Sequence, residues 1–115
     1  MTITIKRAYD PPTAGDGKRI LVDRLWPRGL TKEKLKVERW MKEIAPSNEL
    51  RKWIHADPSK WAGFEERYFR ELESHADLVA ELRAMARAGT LTLVYSAKDE
   101  VRNNAAALKK YLERK

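Results

Sequence analysis

The chain has 115 residues, of which 43% are apolar and 36% charged, and it contains no cysteine. At a scale of about 150 residues per domain it is expected to fold as one domain spanning 1–115. It is too apolar for a disordered chain, and its apolar runs fall far short of the ~20 residues that cross a bilayer. With no cysteine, disulfide frameworks, thiolate metal sites and a cysteine nucleophile are excluded.

The 24 basic residues outnumber the 17 acidic ones and leave a net charge of +7. A surplus of that size favours anionic partners such as phosphates, nucleic acid or an acidic protein. The alternative is a basic surface that serves only solubility. The N-terminus, Met1-Thr2-Ile3-Thr4-Ile5-Lys6-Arg7, has no basic stretch ahead of a long apolar run. It is not a signal peptide, and a cytoplasmic location and no membrane association are expected.

In chain order, Thr2 to Ile5 alternates polar and β-branched residues and reads as a strand. Residues 10–17 form a loop rich in Pro and Gly. Arg19 to Asp23 is a short apolar run closed by a charge, the pattern of a strand buried on both faces. Pro27 and Gly29 interrupt regular structure, and Thr31 then reads as the N-cap of a helix. That helix carries Val37, Trp40, Met41 and Ile44 at helical spacing and ends before Pro46. Ser47 caps a short helix with Leu50, Trp53 and Ile54 on one side. Asp57-Pro58 opens another helix, with Trp61, Phe64, Tyr68 and Leu72 on its buried face. A further stripe runs from Leu78 to Ala86 and stops at Gly89.

Thr90 to Tyr95 is the strongest strand candidate. A loop from Ser96 to Asp99 leads into a last helix, with Asp99 as its N-cap and Val101, Ala105, Leu108 and Leu112 buried. Strands alternating with helices predict an α/β fold, a small, mostly parallel sheet of three or four strands with flanking helices. The relation of the first two strands stays open: about eight connecting residues suit a hairpin better than a parallel crossover.

Ligands of parallel sheets bind beyond the carboxyl ends of the strands. Both strong strands end there in polar clusters. If they are neighbours, one crevice holds Asp23, Arg24, Arg28, Ser96, Lys98 and Asp99, with Asn103 and Asn104 in the first turns of the last helix. Trp26, the only tryptophan in a loop, belongs with this group. Arg24 and Arg28 are fork donors suited to carboxylate or phosphate. Lys98 is a point charge or a base, and Asp23 an acceptor, an orienting group or a general base, so these two are the candidate catalytic residues. Ser96 can donate to a ligand, but no histidine is placed to activate it as a nucleophile.

The competing reading is a structural ion network in which Asp23 and Arg24 pair with Lys98 and Asp99. His55 and His75 lack partners at metal-ligand spacing, so no metal site is expected. No cofactor motif is present. Lys32, Lys34, Lys36 and Arg39 extend the basic surface of the 28–39 segment, a solvated face or a track for a phosphate backbone.

Three functions follow. The leading one is a strand-end pocket for a phosphate- or carboxylate-bearing small molecule, a nucleotide among them, with acid–base chemistry through Asp23 or Lys98. The second is a nucleic-acid-binding module using the 28–39 surface. The third is an interaction protein, monomer or homodimer, whose aromatic 40–69 helices leave an apolar patch exposed.

Three stretches carry a resemblance: ILVDRLWPRGL (20–30), IAPSNELRKWIHADPSKWAGF (44–64) and LVYSAKDEVRNNAAALKKYL (93–112). Together they resemble the YeaO-like branch of the family called domain of unknown function 488. The resemblance implies a cytoplasmic α/β domain with Asp23-Arg24 and Ser96 to Asp99 as hallmark segments. Other branches of that family carry a cysteine at the strand end and a later C-H-R string, where this chain has Ser96 and Asn103-Asn104. Thiol chemistry therefore does not transfer. By the same analogy the first strand is expected to be parallel, with a shrunken crossover that brings Arg7 and Tyr9 to the crevice.

Overall fold

The computed structural model describes residues 1–114. Four strands, β1 (Thr2–Arg7), β2 (Lys18–Leu21), β3 (Arg39–Trp40) and β4 (Thr90–Tyr95), form one sheet in the order β1-β4-β2-β3, every pair parallel. The helices are α1 (Lys32–Leu35), α2 (Asn48–Ala56), α3 (Trp61–Glu73), α4 (Ala76–Ala88) and α5 (Asn104–Leu112). The expected α/β architecture is the one observed. No helix among the described residues is long and apolar enough to cross a membrane.

The two faces of the sheet are covered differently. On one, Ile3, Ile20, Leu91, Leu93 and Tyr95 meet the apolar stripes of the long helices, including Leu50, Phe64, Tyr68, Leu72, Leu82 and Leu108. On the other, Ala8, Leu21, Leu35 and Val94 lie under the side chains of Trp26, Leu30, Val37 and Trp40, which come from loops, α1 and β3. The helix caps follow the chemistry of their residues. Ser47 Oγ accepts from the Leu50 amide, and Ser47 itself is gripped by Glu71 of α3 through its amide at 2.9 Å and its hydroxyl at 2.6 Å. Asp57 accepts from the Ser59 amide at the turn leading into α3.

The question of the first two strands has a topological answer. β1 and β2 are parallel but not neighbours; β4 lies between them. Residues 8–17 run back along the sheet as an irregular crossover, not a hairpin. Its end is pinned to the central strand, where Thr92 Oγ1, fully buried, donates to the Asp16 carbonyl at 2.6 Å. At Gly17, with φ of 62°, a Cβ would lie 2.3 Å from the Thr90 carbonyl oxygen, so only glycine fits.

Two expectations are corrected. The helix predicted from Thr31 to Pro46 is only four residues long. Thr31 caps it, accepting from the Lys34 amide, but Lys36 turns into the left-handed region at φ 51°. The chain then enters the sheet edge as β3 and closes with a 3-10 turn at Lys42–Ile44. Val37 and Trp40 face one side of the sheet while Met41 and Ile44 join the core on the other, so their helical spacing served two faces. Val101, expected on the buried face of α5, precedes that helix and is 78% exposed.

Candidate functional site

The carboxyl ends of β2 and β4 are neighbours, as the crevice required. Asp23 is the centre of the cluster. Its Oδ2 accepts from the Ser96 amide at 2.9 Å and the Ser96 hydroxyl at 2.6 Å. Its Oδ1 accepts from Asn104 Nδ2 at 3.0 Å, and the same amide group also reaches the Val22 carbonyl. Its own carbonyl accepts from Trp40 Nε1 at 2.7 Å. Its carboxylate thus ties β2 to the end of β4 and the start of α5, and its backbone carbonyl ties it to β3.

Arg24 points elsewhere. Its guanidinium donates to the carbonyls of Ala45 and Pro46, fastening the β2 loop to the segment ahead of α2. Asp99 is not the cap of α5. Its Oδ1 accepts from the amides of Val101 and Arg102, a tight turn whose bonds hold the carboxyl below the usual range. Asn103 is the cap: its Oδ1 accepts from the Ala106 amide at 2.8 Å, and its amide group donates to the Asp99 carbonyl. Trp26 is partly buried edge-on against Trp40, with centroids 5.6 Å apart, and its indole N–H donates to the Leu30 carbonyl. Arg28 and Lys98 are exposed and make no side-chain hydrogen bond or ion pair among the described residues. Asp23, Arg24, Lys98 and Asp99 form no salt bridge with one another, so the cluster is a hydrogen-bonded knot rather than an ion network.

The edge also holds residues outside the candidate set. Arg7 Nε donates to the Ala97 carbonyl at 3.0 Å and its guanidinium lies 5.5 Å from the Tyr9 ring. Tyr9 OH donates to the Arg28 carbonyl at 3.1 Å. Tyr95, at the end of β4, is 2% exposed. Burial raises its phenol above the usual range, with Glu100, Asp10 and Asp99 adding to that and Arg7 opposing it. Its position as the last residue of the best strand was the available signal. The large exposed apolar residues past the N-terminal Met1 are Tyr9, Leu25 and Val101, each in a loop at a strand's carboxyl end. Of the aromatic residues of 40–69, Phe64 and Tyr68 are buried and Trp40, Trp53, Trp61 and Phe69 are half-buried, with Trp61 stacked on Phe64 at 4.6 Å. None of the large apolar side chains of that segment is exposed.

The family model described as the inactive DUF488-N3 subclade matches residues 2–115. The chain belongs to this family. It is 47% identical over 112 residues to the uncharacterised protein YeaO of Escherichia coli, covering 97% of each chain. It is 39% identical over 110 residues to uncharacterised proteins of Mycobacterium tuberculosis and Mycobacterium bovis, covering 96% of this chain and 92% of theirs. No solved structure matches it. For this DUF488 chain, YeaO-like along its whole length, the resemblance carried by residues 20–30, 44–64 and 93–112 is therefore the correct family.

Proposed function

We propose that this chain is a non-catalytic binding protein that receives an anionic group, phosphate or carboxylate, at the carboxyl edge of its sheet. The observation that carries the reading is the occupancy of Asp23. Both of its oxygens already accept hydrogen bonds, from Ser96 and Asn104, which commits the carboxylate to holding the strand ends together. The Ser96 hydroxyl donates to that same carboxylate at 2.6 Å, a bond that fastens the end of β4 to the end of β2. The family's description as inactive agrees with this. What remains unspent at the edge is donor capacity: Lys98, Arg28 and the outer nitrogens of Arg7.

The test is titration of isotope-labelled protein with inorganic phosphate, malonate and a short oligonucleotide, read as backbone shifts. Phosphate or malonate should move residues 24–28 and 96–104, and Arg28→Ala or Lys98→Ala should weaken that about ten-fold with the melting temperature unchanged. Arg24→Ala should unfold more easily, because it leaves two buried carbonyls without their donor. Shifts confined to residues 28–39, seen only with the oligonucleotide and fading steeply with salt, would move the function to the exposed Lys32, Lys34 and Lys36. No shift with any probe would end the binding reading.

A further inference from the structure

The 44–64 segment, which carries much of the family resemblance, contributes only Ala45 and Pro46 to the strand-end cluster. It builds instead the outer surface where α2 meets α3. Two adjoining cavities lie there, of about 410 Å³ and about 660 Å³, and both are lined by Trp53, Arg67 and Arg70. The first adds Ser47, Leu50, Glu49 and Glu71; the second adds Lys60, Gly63 and Glu66.

The indole of Trp53 organises this cleft. The Arg67 guanidinium lies 4.2 Å from its ring centroid and the Lys60 ammonium 5.4 Å from it. Cations held on an aromatic face are placed without a carboxylate to neutralise them. Gly63 lets the indole lie close, since a Cβ there would sit 3.0 Å from Trp53 Cη2. The acceptors of the cleft are largely spent internally. Glu71 holds the Ser47 amide and hydroxyl, and Glu66 accepts from one Arg70 nitrogen at 2.7 Å. Glu49, exposed at the first turn of α2, is the remaining carboxylate. The donors are not spent. The side chains of Arg67 and Lys60 make no hydrogen bond or ion pair among the described residues, and Arg70 engages only Nη2. Idle cationic donors outnumber idle carboxylates here, and such donors are matched by a ligand that accepts.

We infer that the α2–α3 cleft is a second binding site, for a small organic phosphate held by Arg67, Lys60 and the free side of Arg70, with its body against Trp53, Leu50 and Gly63. It is independent of the strand-end edge. A fork of guanidinium donors beside an ammonium suits the three oxygens of a terminal phosphate.

The experiment titrates the full chain with pyrophosphate, adenosine diphosphate and a single-stranded octanucleotide, read by calorimetry and by the Trp53 indole N–H resonance. Adenosine diphosphate is expected to bind more tightly than pyrophosphate. Arg67→Ala should weaken both about ten-fold or more at an unchanged melting temperature, Trp53→Phe should weaken them less, and Lys98→Ala should change neither. Binding by Arg67→Ala equal to the parent overturns the proposal. So does an indole resonance that stays still with both phosphates at about 10 mM. A response to the octanucleotide alone, lost in Arg67→Ala, would assign the cleft to nucleic acid and overturn the small-molecule class.

Discussion

Asp16 shows how single residues hold the thinly covered face together. It is 8% exposed, yet its carboxylate meets Lys6 Nζ at 3.1 Å, Arg19 Nη1 at 2.7 Å and the amide and hydroxyl of Thr13. Arg19, itself 4% exposed, spends its other nitrogens on the Leu35 carbonyl. Burial pushes the Asp16 carboxyl up, but the Thr13 bonds and the two cations outweigh it and bring it from 3.8 down to about 2. The unfolded chain therefore takes up this proton first as pH falls. The stabilisation is complete above pH 4 and drains away towards pH 2. Denaturant melts from pH 5 to 2 should show that loss, and Asp16→Asn should lack this part of it. At neutral pH the variant should be weaker by about 3 kcal/mol, because Arg19 keeps its charge in a buried place without its counter-ion. Gly17 is the second such point. Gly17→Ala brings a methyl group against the Thr90 carbonyl and strains a positive φ, and should cost at least ~2 kcal/mol in a denaturant melt.

At the scale of elements, α1 and β3 mark where sequence patterning misleads. Val37, Trp40, Met41 and Ile44 have the spacing of a helix face, but the chain breaks at Lys36 and passes the sheet edge. Residues 37 and 40 go to one side and 41 and 44 to the other, and no periodicity separates that from one buried stripe. α2, α3 and α4 were legible because each buries a single face against the same core, and β4 because it is a short apolar run buried on both faces. The strand-end cluster was legible as a meeting of Asp23 with Ser96, since both follow apolar strands. The roles within it were not, because partners such as the Ala45 and Pro46 carbonyls lie on segments distant in sequence. Lys36 also offers a test. A lysine in the left-handed region costs ~1 kcal/mol relative to glycine. Lys36→Gly, in an exposed turn, should raise stability by about 0.5–1 kcal/mol in a thermal melt.

The whole molecule is a parallel sheet with a division of labour between its faces. Long helices close one side, with Tyr68 at their centre donating to the Ile44 carbonyl at 2.7 Å. Loops close the other and leave the carboxyl edge to the binding role proposed above. The central position of β4 adds a consequence in time. A ribosome delivers β1 and β2 first, yet neither has its long-pairing neighbour until residues 90–95 emerge. Until then the two strands are open edges, which other chains can capture. Stalled nascent chains ending before Thr90 should therefore lack a protease-resistant sheet, while chains extended past Lys115 by a tether should gain one in a single step. Formation of the sheet thus waits on β4, and a chain that stops ahead of it keeps two open strand edges rather than a smaller folded version.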